Sequence, residues 1–245
     1  MVKKWIVFLI GVIIFLSSLP LTILMAMEKI HTSQMHNRYE LHIISHRYPP
    51  PESTFHYKNN IIEVKETLLD EENYTDPWNY KIAFADLSVF INGEEIDTLE
   101  QYPIRMEEEG LARYYGNISS IIIKDKRKDE EKLYMILKKT KDPVVTDGIN
   151  IGIAPVETLT YSLYDLDEDG LLGRESFSFT NRNALQTLLL NNSGTSPHAI
   201  GHYTDAWNWM PSVFYPFIFP FLSFLVGIVL LIFYFPFRKS KSRPL

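Results

Sequence analysis

The sequence of 245 residues contains no cysteine. A chain without cysteine forms no disulfide, no thiolate metal site and no cysteine nucleophile, which excludes every thiol-dependent enzyme. The sequence also lacks the motifs G-x-S-x-G, S-x-x-K, H-E-x-x-H and G-x-G-x-x-G, and it has no P-loop. These motifs are typical of hydrolases, zinc peptidases and nucleotide-binding proteins, so the sequence carries no catalytic signature.

Charge is missing from two long stretches, one near each end of the chain. The first, Trp5–Met27, is an uncharged run of 23 residues that follows Lys3 and Lys4. A helix needs about 20 such residues to cross the hydrocarbon core of a membrane, so we predict a transmembrane helix over residues 5–27. A cleaved signal peptide is the alternative, because it also has a basic start and an apolar run, but no A-x-A cleavage pattern is present.

The second stretch comprises the 32 uncharged residues between Asp205 and Arg238. Its most apolar part, residues 213–237, predicts a second transmembrane helix. Tryptophan and tyrosine lie near its two ends, and these side chains favour membrane interfaces. Three prolines crowd its first half, and each proline removes a backbone donor. We therefore expect the regular helix to run from about Pro216 to Phe235.

The charges between the two stretches predict the orientation of the chain. All 30 acidic residues lie there with 18 basic ones, a net charge of −12, whereas residues 1–4 and 238–245 are basic tails without an acid. Basic flanks are retained in the cytoplasm. We therefore predict a cell-membrane protein with both termini cytoplasmic and residues 28–205 outside. The negative charge of this central part disfavours a nucleic-acid partner.

The central residues 28–205 are long enough to form one domain. Apolar and polar residues alternate with a period of two in many segments, which is typical of strands with one covered face. Asn92-Gly93 between two such segments predicts a hairpin, and the charged residues 125–131 predict the tip of a second hairpin. The predicted strands are 39–45, 61–69, 81–91, 94–98, 119–124, 132–140, 149–153, 158–163 and 176–180.

Helical spacing of apolar residues occurs in one place within this domain. Residues 181–192 place alanine and leucine side chains on one helix face, with Asn181 as the predicted N-cap and Gly194 at the end. The predicted fold class is a membrane protein with two transmembrane helices flanking a β-rich extracytoplasmic domain. We expect that domain to be mainly antiparallel, sandwich-like or a partly open barrel, with one short helix.

One acidic segment is the strongest candidate for a metal site. Aspartate stands at every second position before Gly170, which resembles the start of an EF-hand calcium loop as far as that glycine. Eleven residues separate Tyr164 from Ser176, longer than a typical hairpin loop of about 2–5 residues, which favours an ordering cation. We interpret the segment as a solvated turn without a cofactor, and weakly bound calcium is the alternative that the resemblance implies. The predicted ligands are the carboxylates of Asp165, Asp167 and Asp169, the carbonyl of Leu171 and the carboxylate of Glu175.

Five of the seven histidines lie between His31 and His56, and the other two are His198 and His202. Two pairs are four residues apart, a spacing that aligns imidazole rings only on a helix, and neither segment is predicted to be helical. We interpret the histidines as surface residues, with a zinc site as the alternative. Their number predicts sensitivity to pH near 6.5.

These patterns predict a non-enzymatic, membrane-anchored envelope protein. Its outer β domain would bind a membrane or surface component, as an accessory subunit, a sensor or an assembly factor. The expected partners are the lipid bilayer and either a membrane protein or a second copy of the chain. A membrane-anchored hydrolase or transferase acting on an envelope substrate is one alternative. An accessory subunit of a transport complex is another, although neither span carries a charge that would mark an ion path.

Overall fold

A computed structural model describes most of the chain, and the described residues are 2–44, 52–70, 74–75, 79–145, 150–151, 154–207 and 217–234. The chain forms two units. The first comprises Met1–Ser33 and Ile200–Leu245, and the second comprises Gln34–Ala199. Several predicted features lie outside the described residues. These are the basic tail 238–245, the two ends of the second predicted span (213–216 and 235–237), His46 and most of the predicted strand 149–153.

The first helix, α1, runs from Val2 to Arg38 and has 37 residues. It contains the whole predicted span 5–27 and continues for a further 11 residues, with Pro20 inside it. In the part of the chain that the structure describes, α1 is the one helix long and apolar enough to cross a membrane. The N-terminal apolar helix is therefore confirmed as a helix, and it is longer than the sequence pattern predicted.

The C-terminal helix of the first unit is short. An irregular turn, Phe217–Leu222, precedes a regular helix over Ser223–Tyr234. Phe219 in that turn has φ −134° and ψ 122°, which is extended backbone. The residue before a proline disfavours the helical region, and Pro220 has no N–H to donate. The prediction of a regular helix from Pro216 is therefore wrong at its start.

Within the first unit, the two helices pack against each other in opposite directions. A Cβ atom on Gly11 would lie 3.0 Å from Cβ of Leu230, and one on Gly227 would lie 2.8 Å from the backbone nitrogen of Phe15. Residues later in the first helix therefore contact residues earlier in the second, so the helices are antiparallel. Glycine at both positions lets the two backbones approach closely, as is common for helices packed in membranes.

The second unit is built from strands. In chain order the strands are β1 (Tyr39–Ile43), β2 (Thr54–Tyr57), β3 (Asn60–Leu68), β4 (Tyr74–Thr75), β5 (Lys81–Ile91), β6 (Glu94–Arg105), β7 (Ile118–Asp125), β8 (Glu130–Lys138), β9 (Val144–Val145), β10 (Asn150–Ile151), β11 (Thr160–Leu166) and β12 (Leu171–Ser178). The first sheet has the order β1-β7-β8-β11-β12. The second has the order β2-β3-β5, with β4 and β6 also paired to β5, and β9 and β10 form a separate ribbon. Every pair is antiparallel.

The two larger sheets share one cluster of buried side chains. Leu87 and Ile104 of the second sheet and Met135 and Leu166 of the first belong to it.

Four consecutive residues of β11, 161–164, are buried. Since successive residues of a strand face opposite sides of its sheet, the first sheet is covered on both sides at this strand. The predicted polar face is confirmed at Thr158 and Thr160, which are exposed, and it is wrong at Ser162, which is 2% exposed. The middle of β11 lies between β8 and β12 and is covered on both faces.

Both predicted hairpins are present. Asn92 and Gly93 have φ values of 54° and 84° in the turn between β5 and β6, as the two-residue turn requires. The strand after the turn continues to Arg105 instead of ending at Thr98. Residues 126–129 form the turn between β7 and β8, inside the predicted charged tip.

The predicted short helix is also present, as α2 (Ala184–Ser193). Its N-cap is Asn183 rather than Asn181, because the Asn183 side chain accepts from the backbone N–H of Gln186 while the Gln186 side chain accepts from that of Asn183. This reciprocal capping box satisfies two amides at once. Gly194 follows with φ 71°, as predicted for the helix end.

Candidate functional site

The acidic segment forms a tight turn between two strands. Because β11 extends to Leu166 and β12 begins at Leu171, only residues 167–170 connect them. The prediction of a long loop was therefore wrong. Asp165 lies on β11, Asp167 and Asp169 lie in the turn, and Glu175 lies on β12 opposite Leu163.

Asp167 holds this turn in shape. Its Oδ1 accepts hydrogen bonds from the backbone N–H groups of Asp169 (2.8 Å) and Gly170 (3.2 Å), and its own N–H donates to the Gly170 carbonyl (3.1 Å). Gly170 has φ 135°, a conformation that favours glycine. A side chain that bonds the backbone two residues later is a common way to build a turn. The Asp and Gly of the motif are thereby explained by local hydrogen bonding.

Asp165 has a different partner, the Nζ atom of Lys132 at 3.3 Å. The backbone of Gly173 passes close by, since a Cβ atom there would lie 2.5 Å from Oδ1 of Asp165. Among the described residues, no three His, Asp or Glu side chains are grouped so that they could hold a metal ion. Protein groups thus satisfy both Asp165 and Asp167, and calcium binding by this segment stays a prediction.

A buried asparagine, Asn60, and an exposed one, Asn92, join the acidic turn to its neighbours. Asn60, 1% exposed, donates from Nδ2 to the carbonyl of Asp167 (2.7 Å) and accepts at Oδ1 from Nδ2 of Asn92 (2.8 Å). Asn92 Oδ1 in turn accepts from the N–H of Ile61 (2.9 Å). Three hairpin turns are therefore linked through amide side chains. The sequence pointed to Asn92 for its turn conformation but gave no sign of this bond.

Asp97, on β6, lies at the centre of a buried charge cluster in the β domain. Its side chain is 7% exposed and accepts from Nζ of Lys139 (2.8 Å) and from the hydroxyl of Tyr164 (2.7 Å). Arg174 lies farther away, at 3.7 Å. Burial alone would raise the pKa of Asp97, but the hydrogen bonds and the charge of Lys139 outweigh it and lower that pKa.

The role of this cluster is to stabilise the fold. Burial and the neighbouring Asp97 raise the pKa of the Tyr164 hydroxyl, so it stays a donor while Asp97 stays ionised. A general acid or base needs a pKa near the working pH, and both groups are moved away from it. The cluster ties β6 of the second sheet to β11 of the first and to Lys139, which directly follows β8.

A second ion pair works in the same way. Arg113 binds Glu66 with two parallel bonds, Nε to Oε2 at 3.0 Å and Nη2 to Oε1 at 2.8 Å. Paired bonds of this type are among the strongest that a carboxylate can make. They hold the short 3₁₀ turn Gly110–Tyr114 against β3. The described charges of the domain interior therefore serve mainly to link elements.

In the first unit, Glu28 makes the most elaborate contact. It is 5% exposed, and its carboxylate accepts from three consecutive backbone N–H groups: residue 202 at 2.9 Å, residue 203 at 2.6 Å and residue 204 at 3.3 Å. Burial would raise the pKa of this carboxyl, but the three backbone donors outweigh it and lower that pKa. Consecutive N–H groups that converge in this way form an anion-binding nest.

The segment that supplies these donors folds tightly on itself and is hydrogen-bonded to α1. A Cβ atom on Gly201 would lie 2.0 Å from the carbonyl oxygen of Thr204, so only glycine fits there. The indole N–H of Trp207 donates to the carbonyl of Met25 at 3.1 Å. We name this arrangement the Glu28 clasp: Glu28 and His31 of α1 with the segment 201–207.

Two histidines meet in the Glu28 clasp. The ring centroid of His31 lies 4.5 Å from that of His202 and 5.5 Å from that of Tyr203, in edge-to-face geometry. Both histidines are half-buried, so they are partly exposed, as expected from the sequence, but they also contact each other. The sequence offered one sign, since Glu28 is the first charge after the apolar run, but its partners lie 174 to 176 residues away.

Comparisons of the chain with protein families, with curated proteins and with solved structures found no match. The function of this chain is therefore inferred from its own geometry.

Proposed function

We propose that the chain is a two-span protein of the cell membrane that holds a sandwich-like β domain on the outer side. There it acts as a non-enzymatic binding component, as an accessory subunit, a sensor or an assembly factor. Its expected partners are the lipid bilayer and either a membrane protein or a second copy of the chain. The observation that carries the proposal is the close antiparallel packing of α1 with the C-terminal helix, α3 (Ser223–Tyr234).

The outward surface of this helix pair supports a lipid environment. Gly11, Ser18 and Met25 of α1 are buried at seven-residue spacing, and Gly227 of α3 is buried too. Apolar side chains cover the other faces, and Phe233 is 81% exposed. An apolar surface of this size is unfavourable in water and is typical of a face covered by lipid or protein. Lipid tails would cover it without cost.

Aromatic side chains mark two levels along the pair. Trp5 and Tyr234 pack together with ring centroids 5.8 Å apart, and Trp207 is bound to Met25. From Trp5 to Met25 the helix rises by about 30 Å, at ~1.5 Å per residue, which equals the thickness of the hydrocarbon core. Aromatic belts at both interfaces are common in membrane proteins.

Orientation follows from the tails. An antiparallel pair brings the start of α1 and the end of α3 to one side, and the tails next to them in the sequence are basic. Basic residues favour the cytoplasmic side, so the central domain belongs outside. The carboxylates of Asp97 and Glu66 already have charged and hydrogen-bonding partners within the domain. Neither is therefore available as a catalytic group, which favours a binding role.

The orientation can be tested with single cysteines, because the natural chain has none. Asp129→Cys lies in the exposed β7–β8 turn, and Ser240→Cys lies in the C-terminal tail. A membrane-impermeant maleimide added to intact cells should label Asp129→Cys at once and Ser240→Cys only after permeabilisation. Labelling of the tail in intact cells would refute the two-span topology. In a separate experiment, native mass spectrometry in mild detergent identifies the partner, either a second copy of the chain or another bound protein.

A further inference from the structure

The Glu28 clasp brings two proton acceptors and one buried anion into a small space. The titratable groups that meet there are Glu28 and His31 from α1 and His202, Tyr203 and Asp205 from the segment. Asp205 uses Oδ1 to accept the N–H of Gly201 at 2.6 Å and is exposed. One carboxylate, that of Glu28, is therefore buried within the clasp.

We infer that the Glu28 clasp is a proton-operated latch. It holds the segment 201–207 on α1 near neutral pH, and it releases this segment when both His31 and His202 take up a proton. This inference goes beyond the proposed anchoring and binding role, since it concerns a response to the pH outside the membrane.

The first proton is tolerated in the closed clasp. A single imidazolium on His202 lies beside the Glu28 carboxylate, with which it interacts electrostatically, and the pair is neutral. The second proton is not tolerated. It would create two cations with ring centroids 4.5 Å apart against one carboxylate, and like charges at this distance repel strongly. The closed state therefore resists double protonation.

The position of His31 adds to this resistance. Its Nε2 atom is buried and has no hydrogen-bond partner among the described residues. A proton placed on Nε2 would bring a buried donor without an acceptor, which costs the desolvation of that group. In the released state both rings reach water, where ordinary histidine takes up a proton near pH 6.5.

The direction of the pH effect follows from the number of protons that each state binds. The released state binds more protons than the closed state below the ordinary histidine range, so acid favours release. The clasp is closed above that range and opens as the pH falls through it. Titration of Glu28 acts in the same direction at lower pH, because loss of its negative charge weakens all three bonds to backbone N–H groups.

Hydrogen exchange measured by mass spectrometry tests this inference on the full-length chain in nanodiscs of zwitterionic lipid. The readout is the protection of amides in peptides that cover residues 200–207, after correction for the pH dependence of intrinsic exchange. We expect protection at about pH 7.5 and a loss of about tenfold or more at about pH 5. Equal protection at the two pH values would overturn the inference.

Two variants identify the groups. His31→Phe keeps an aromatic ring but cannot take up a proton, so its protection should persist at about pH 5; loss there in this variant would also overturn the inference. Glu28→Gln should be unprotected at both pH values, and protection in it would show that the clasp does not hold the segment. His42→Phe, an exposed ring on β1, is the matched control and should behave like the natural chain. Peptides from β12 report that every variant is folded.

Discussion

At the scale of single residues, buried carboxylates in this chain are defined by their donors. Asp97 and Glu28 are both almost fully covered, and both stay ionised because hydrogen bonds outweigh the cost of burial. Their donors differ, however. Asp97 is held by side chains of other strands, whereas Glu28 is held by backbone amides. Replacing either residue therefore leaves a different set of groups unsatisfied.

We predict that Asp97→Asn lowers the free energy of unfolding by about 2–3 kcal/mol at neutral pH, because it leaves Lys139 without its counter-charge. The folded-state pKa of Asp97 is lowered, so its contribution is complete above the ordinary carboxyl pKa of about 3.9 and is lost as the pH falls through the lowered value. The deficit of the variant should therefore shrink in acid. Urea unfolding followed by near-ultraviolet circular dichroism measures it.

Asp129→Asn is the matched control for this prediction. Its side chain is 84% exposed and pairs with Lys124 on the surface. A surface change of this kind should cost less than about 0.5 kcal/mol. If both variants lost the same stability, Asp97 would not be the link between the two sheets.

The acidic turn gives a second prediction. Asp167→Ala should lower the free energy of unfolding by about 1 kcal/mol, because two backbone N–H groups lose their acceptor. Asp169→Ala should be close to neutral in chelator, since Asp169 serves the turn through its backbone N–H. Millimolar calcium decides the metal hypothesis in the same experiment. Calcium that stabilises the natural chain but not Asp169→Ala would support a site, and an equal response in both chains would contradict it.

At the scale of elements, local pattern predicted most strands and both hairpins, because period-two alternation and Asn-Gly are short-range signals. Three features were not accessible in this way. The burial of the middle of β11 on both faces depends on which strands flank it. The acidic segment seemed long because the strand ends at Leu166 and Leu171 are set by pairing. Glu28 and Asp97 find partners far along the chain, which no local window contains.

The cap of α2 tests how well local rules hold. Asn181 and Asn183 both fit an N-cap by type, and the structure uses Asn183. We predict that Asn183→Ala lowers the free energy of unfolding by about 1 kcal/mol, because it removes one half of the capping box. Asn181→Ala should have a clearly smaller effect. Equal losses in urea unfolding would mean that the cap is misassigned.

The helix pair gives a prediction of its own. A Cβ atom on Gly11 would lie 3.0 Å from Cβ of Leu230, near the Cβ separation of about 3.5–4.5 Å that a disulfide needs. The double variant Gly11→Cys, Leu230→Cys should therefore form a disulfide on mild oxidation in membranes. Adding Gly227→Leu should abolish this product, because a side chain there meets the backbone of Phe15. Val226→Leu, which is 40% exposed, should leave it intact. Gel mobility with and without reductant measures the yield.

At the scale of the whole molecule, a chain truncated after Trp207 distinguishes an anchor from a cleaved signal. This chain lacks α3 but keeps α1, which is long and apolar enough to span a membrane. We predict that it stays in the membrane fraction after an alkaline carbonate wash, with its new C-terminus accessible from outside intact cells. Release of a shortened soluble product would show instead that the first apolar stretch is removed.

The asparagine pair Asn60 and Asn92, which links the three hairpin turns, also contains a site of slow spontaneous chemical change. Asparagine followed by glycine is the sequence most prone to spontaneous deamidation, and Asn92-Gly93 stands in an exposed turn. Hydrolysis of this amide would replace the Nδ2 donor by a second carboxylate oxygen facing Oδ1 of Asn60, where two acceptors would then oppose each other. Deamidated molecules would therefore lose the hydrogen bond between Asn92 and Asn60, which weakens the link between β3, the turn after β5 and the acidic turn.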